Sequence, residues 1–174
     1  MAHRDGAGQG NTVLFELPQI GTVVGGHMVV QDDYQGGTES IIRLNHEYPE
    51  ETLQGLEAFS HIQVVWKMHK AKPEDIELHA RSPRGNAQWP ATGTYVHRNH
   101  RRPAQVGVSH PKLRRVEGRD IVVEGLDAVH DTPVLDVSPW FPQMGPQGDV
   151  RVPVWVDEML IDYWAPAASR PAKQ

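Results

Sequence analysis

The clearest alternation in the chain runs from Phe59 to His69. Ile62, Val64, Trp66 and Met68 fall on one side, His61, Gln63, Lys67 and His69 on the other, and only Val65 is out of step. A period of two marks a strand with one face buried. Shorter apolar runs repeat the theme. Ile20–Val24 is β-branched and stopped by Gly25-Gly26, Thr38–Leu44 centres on Ile41 and Ile42, and Thr132–Val137 is closed by Pro139 and Pro142. Lys112–Val116 and Ile121–Leu126 flank Glu117-Gly118-Arg119-Asp120, a hairpin signal.

Helical patterning is scarce. Tyr48–Leu56 predicts one short helix, with Pro49 near its start and Glu50 and Glu51 in its first turn, where acids favour the helix dipole. Val152–Tyr163 fits a strand and a short C-terminal helix equally. Lys70–Pro90, rich in Pro, Gly and charge, predicts a long excursion around a short Ile76–His79 strand. Gly93–Leu113 then reads strand, loop, strand, with Thr94–Val96 and Val106–Val108 as the flanks. Many short strands without a βαβ rhythm predict a mainly β fold, an antiparallel β-barrel with one or two short helices and a long loop excursion. The expected organisation is a disordered leader over 1–14, one domain over 15–164 and a flexible tail over 165–174.

Composition adds limits. With 174 residues, 39% hydrophobic and 22% charged, the chain is sized for one core. There is no cysteine, which excludes disulfides, thiolate catalysis and Cys-ligated metals. No apolar run approaches membrane-spanning length, Met1–Asn11 lacks a secretory core, and the cytoplasm is the default expectation. Neither a Gly-x-Gly-x-x-Gly turn after a strand nor a P-loop is present. The net charge of -5 hides an asymmetry: residues 67–119 hold twelve of the 17 basic residues against four acids, a formal +8 beside −13 elsewhere. Such a basic window suits an anionic partner.

The loop within Gly93–Leu113 carries His97, Arg98, His100, Arg101 and Arg102, too many polar groups for packing alone. Three stretches together resemble the TrmO (YaeB-like, TsaA-like) family of S-adenosylmethionine-dependent tRNA methyltransferases. They are Leu56-Glu57-Ala58-Phe59-Ser60-His61-Ile62, the loop positions Arg98, Arg102, Pro103, Gly107 and Ser109, and Gly125-Leu126-Asp127 with Thr132-Pro133-Val134-Leu135-Asp136-Val137. The likeness runs from about Ile20 to Pro142. The chain departs from the family pattern at His97, His100, Ala104-Gln105, His130-Asp131, Ser138 and Trp140.

The resemblance implies S-adenosyl-L-methionine as methyl donor, bound by Arg98, Arg102, Pro103, Gly107, Asp127, Thr132 and Pro133. It also implies a homodimer with the donor near the subunit interface, and tRNA as substrate. Arg98 or Arg102 is suited to fork onto a carboxylate or phosphate, or to pair internally with Asp127 or Asp136. Asp136 reads as a polar clamp rather than a base. His97, His100 and His130 replace non-His family positions in two loops expected to be neighbours, and are the candidate proton acceptors. A metal site using His97 and His100 with His130 or His110 matches no established spacing, so no metal is expected. His61 is read as a buried structural hydrogen-bonding group rather than a catalytic one. Lys112, Arg114 and Arg115, with Lys67 and Lys70, are the expected phosphate surface. Trp89 and Trp140 are read as core more readily than as base-stacking platforms. The same methyl transfer onto a small molecule, or a donor-binding module without catalysis, are the alternatives.

Overall fold

A computed structural model of the chain describes residues 13–170, so most of the expected leader and the last four tail residues lie outside the described residues. Seven strands follow in order: β1 (Gly21–Gly25), β2 (Glu39–Leu44), β3 (Ile62–Lys67), β4 (Val106–Ser109), β5 (Lys112–Glu117), β6 (Asp120–Glu124) and β7 (Pro133–Pro139). They form one antiparallel sheet in the order β4-β3-β7-β1-β2-β6-β5. The alternation read from the sequence selects the buried face. Val23 opposes Ile42, Ile42 opposes Ile121, and all three are fully buried with Ile62, Val64, Val123, Leu126 and Val134. Removing that apolar surface from water is the main favourable contribution to the fold.

The expected barrel does not form: the sheet stays open. β4 and β5 are separated only by His110-Pro111, and each ladders with a different neighbour, β3 and β6. At the corner, the backbone pairing is a His61–Lys112 bridge with the flanking bonds Ile62 N–H to Pro111 O (3.2 Å) and Leu113 N–H to Ser60 O (2.9 Å). Pro111 has no N–H to extend that pairing into a ladder.

Three local expectations also change. Tyr48–Leu56 is not one helix but two 3-10 turns, Glu50–Leu53 and Leu56–Ala58, separated by Gly55 at φ 86°. That left-handed residue breaks helical continuity. Ile76–His79 is not a strand: Pro73–Asp75 forms a 3-10 turn capped by Lys72 N–H on Asp75 Oδ2 at 2.8 Å. Thr94–Val96 is likewise a 3-10 turn, closed by Val96 N–H on Gly93 O at 3.0 Å. The ambiguous C-terminal segment contains α1 (Val154–Met159). Beyond it, Ala165 and Pro166 lie against Gly36, which bridges to Pro166.

Candidate functional site

The Gly93–Gly107 loop is built by its own polar side chains. Arg81 donates to Glu77 O at 3.1 Å and Asn99 Oδ1 at 3.2 Å, and the Asn99 amide oxygen also accepts from Arg101 N–H at 3.1 Å. Gln105 is buried in a left-handed conformation, φ 48°. Its side chain donates to Lys72 O at 2.7 Å, and its carbonyl accepts from Met68 N–H at 2.9 Å. Arg102 turns back onto Asn99 O (3.3 Å) and Val106 O (2.5 Å), while Arg98 reaches Val108 O at 2.8 Å. Pro103 sits exposed at the tip of the loop. Gly107 is required where it stands, because an added Cβ would lie 2.3 Å from the Trp66 ring.

The loop joins the Gly125–Asp127 turn through a chain of hydrogen bonds. Trp66 Nε1 donates to Ser109 Oγ at 2.8 Å, Ser109 donates to Asp127 Oδ1, and Tyr163 donates to Asp127 Oδ2 at 2.5 Å. Arg98 and His110 share the electrostatic neighbourhood of Asp127. The His110 imidazole is held below its ordinary value by burial and then by Arg98, with Asp127 acting the other way. Burial, reinforced by Asp127, pushes the Tyr163 phenol well above its ordinary value, although Arg98 and Arg84 oppose the shift. Asp127 makes no salt bridge with Arg98 or Arg102; one hydroxyl donates to each of its oxygens, and both keep further acceptor capacity. Asp136 lies exposed on β7 opposite Val65.

A second contact connects Thr132 to the same end of β3. Thr132 Oγ1 and His69 Nδ1 share a hydrogen bond of 3.2 Å, while His69 Nε2 is buried without a partner. Thr132 O accepts from Val23 N–H at 2.9 Å, and Pro133 opens β7 opposite Thr22. Because Met68 is bonded to Gln105, the loop and the Thr132 turn meet along Met68-His69.

The candidate histidines differ in setting. His97 is buried, and its Nε2 lies 3.2 Å from Thr92 O and 3.1 Å from Thr92 Oγ1. His130 accepts from Gly25 N–H on Nδ1 at 3.1 Å and places Nε2 3.3 Å from Asp131 Oδ1. His100 is exposed on the loop. His61 is exposed rather than buried as expected, because it precedes β3 at the corner of the sheet; its Nδ1 lies 3.0 Å from Ser60 Oγ. Among the described residues, no group of three or more His, Asp or Glu side chains is placed to hold a metal ion.

The expected phosphate surface is not one patch: Lys67 Nζ donates to Ala104 O at 3.1 Å beside the loop, whereas Lys112, Arg114 and Arg115 lie apart on β5, at the edge of the sheet. Arg114 pairs with Glu124, and Arg115 with Glu117 at 2.6 Å and Glu39 at 3.8 Å. Lys112 is exposed beside the corner bridge to His61. Trp89 and Trp140 are half-buried. Trp89 Nε1 donates to Glu158 Oε2 at 2.7 Å, and the Trp140 ring meets His110 edge-on at 4.5 Å. Two surface clefts, of about 610 Å³ beside Arg43 and Asp120 and about 340 Å³ beside Tyr48 and Phe59, include none of the expected site residues.

Sequence reasoning passed over Ser109, His69, Asn99, Gln105 and Tyr163 as functional groups. Ser109 carried a signal, its place in the family-like Gly-Val-Ser run. His69, Gln105 and Tyr163 gain their partners only from tertiary contact, and Asn99 adds Arg81 to its local bond with Arg101 N–H.

Residues 27–145 match the tRNA-methyltransferase O N-terminal domain family. The tRNA (adenine(37)-N6)-methyltransferase of Homo sapiens is 35% identical over 106 residues, covering 61% of this chain and 24% of that protein. The probable S-adenosyl-L-methionine-binding protein VirR of Rhizobium radiobacter is 37% identical over 87 residues, covering 50% of this chain and 47% of that protein. The chain thus spans a quarter to a half of the length of these relatives. The crystal structure of TrmO from Pseudomonas aeruginosa superposes with a TM-score of 0.63 at 23% identity, covering 80% of this chain and 61% of that one. No helix among the described residues is long and apolar enough to cross a membrane. With more than half of its length matched, this chain belongs to the tRNA-methyltransferase O N-terminal domain family.

Proposed function

We propose that the chain is an S-adenosylmethionine-dependent methyltransferase acting on N6 of adenine 37 in tRNA. The observation that carries this reading is the Ser109–Asp127 hydrogen bond, which unites the loop and the Gly125–Asp127 turn in one site. S-adenosylmethionine supplies an electrophilic methyl group carried on a sulfonium. The residues present suit that group: an anion at Asp127, a cationic fork at Arg98 for a carboxylate, and the unpartnered His69 Nε2 beside Thr132 for a polar edge. Pro103 and Gly107 shape the loop, and Arg102 braces it from within.

His100 is the candidate proton acceptor, since it is exposed on the loop whereas His97 is held by Thr92 and His130 by Gly25 and Asp131. Arg101, exposed on the loop, is the first phosphate contact, ahead of Arg114 and Arg115. A homodimer is the assembly this reading favours; the exposed Met28-Val29-Val30 run beside the buried His27 offers apolar surface for it. A tRNA substrate implies the cytoplasm as the site of action.

The test is incubation with methyl-labelled donor and total tRNA, followed by nucleoside analysis. Label on the N6 position of adenine 37 supports the reading, and His100→Ala should lower kcat about 100-fold. Donor binding without label in tRNA would overturn it in favour of a binding module, the role named for the Rhizobium relative.

A further inference from the structure

Residues 146–170 lie outside the family-matched span, yet they wall the site. α1 is anchored by Trp155, buried with its ring 6.5 Å from that of Trp89. The chain then runs beside residues 34–36. Tyr34 N–H donates to Asp162 O at 3.0 Å, Gln35 N–H to Tyr163 O at 2.8 Å, and Gly36 N–H to Ala165 O at 3.2 Å. This ribbon delivers the Tyr163 hydroxyl to Asp127 Oδ2 and lays Trp164 beside Gly125, where an added Cβ would be 3.4 Å from the indole. Ser109 holds the other carboxylate oxygen. Asp127 is therefore clamped by donors from β4 on one side and the C-terminal segment on the other.

We infer that Tyr163 is a positioning residue, which fixes Asp127 as the stationary anion of the donor site, and that segment 154–164 is this chain's own wall of that site. The inference rests on the methyltransferase reading. Burial keeps the phenol protonated, so Tyr163 remains a donor and Asp127 the acceptor across the working pH range. An anion already held in place meets a cationic ligand without first losing side-chain freedom, and so binds it more tightly than a mobile one.

Wild type, Tyr163→Phe, Asp127→Asn and the double variant test this by steady-state methyl transfer and calorimetric donor binding. Tyr163→Phe should raise KM for the donor about fivefold while leaving kcat and KM for tRNA unchanged. The double variant should bind the donor no worse than Asp127→Asn alone, because Tyr163 acts through that carboxylate. Carbon-13 signals of the four tyrosine rings should show Tyr163 ionising last in wild type and closer to the others in Asp127→Asn. Unchanged donor KM in Tyr163→Phe, or losses that multiply in the double variant, would overturn the inference. So would a rise in both KM values with a melting midpoint lowered by more than ~5 °C, the mark of a packing role. Wild type that binds no donor would instead remove the methyltransferase reading itself, and this inference with it.

Discussion

The loop over 81–107 and the β5–β6 hairpin are the two arginine-rich regions of the basic window, and they use their cations in opposite ways. In the loop Arg84 pairs with Asp33 at 2.8 Å, but Arg81, Arg98 and Arg102 bond to carbonyl and amide oxygens, which leave their positive charge uncancelled. Around the hairpin, Arg43, Arg114 and Arg115 bond to Asp120, Glu124, Glu117 and Glu39. A count of basic residues weighs the two regions alike. Their partners do not: the loop projects a field toward an anion, while the hairpin largely satisfies itself.

The sharpest contrast comes from one glycine in each region. Gly107→Ala drives a methyl into the Trp66 ring, 2.3 Å away, and disturbs the Trp66–Ser109 bond. A destabilisation of about 3 kcal/mol is expected in urea unfolding. Gly118→Ala at the hairpin meets only Glu50 Oε1 at 3.3 Å, the mobile end of a side chain, and has φ 60°. Its expected cost is about 1 kcal/mol, the left-handed penalty alone. Equal losses would mean that the Trp66–Gly107 contact is not tightly packed.

Binding separates the regions next. Arg101→Ala should weaken tRNA affinity about fivefold and lower the slope of log K against log salt by about 1. Arg114→Ala with Arg115→Ala should change affinity less than about threefold, since these side chains already face carboxylates. Filter binding from 50 to 300 mM salt reads both, and a larger effect from the hairpin pair would reverse the assignment of the phosphate-facing surface.

These differences mark where the sequence was readable. β3 follows from a period of two, and β1, β2, β6 and β7 from short apolar runs bounded by turn residues; in β6 that run is buried on both faces, at Ile121, Val122 and Val123. Three residues such as Thr94-Tyr95-Val96 carry no period, so a 3-10 turn and a strand look identical in sequence. Barrel closure depended on how Pro111 turns the chain, a long-range pairing that no local pattern encodes. At the site, the loop and the Gly125–Asp127 turn were legible as family-like motifs, and Ser109–Asp127 joins them. Tyr163 was not, since its partner lies 36 residues away across a segment of ambiguous pattern. The fate of each arginine was equally hidden, because Glu39 and Glu124 become neighbours of β5 only through strand pairing and the bulge between Leu113 and Arg115.

The smallest effect distinguishes the regions by the pH at which each loosens. Beside the loop, burial and then Lys70 hold the His69 imidazole below its ordinary value, with Asp131 acting the other way. The unfolded chain takes up this proton near pH ~6.5, and the folded chain only at lower pH. Between those two points the unfolded state binds more protons, so stability is full above ~6.5 and falls as pH drops toward the folded value. His110, shifted the same way by burial and Arg98, adds to the same limb. At the hairpin the Arg43 hydrogen bond holds the Asp120 carboxyl below its ordinary value. That contribution is present above the unfolded carboxylate value of ~3.9 and is lost only as pH falls below it, through the folded value. Urea midpoints measured from pH 3 to 8 should therefore decline in two separate steps. His69→Asn, which keeps a partner for Thr132, should flatten the step near neutrality and leave the acid step intact; Asp120→Asn should do the reverse. A single step removed by either variant would show that the two ends of the sheet do not titrate independently.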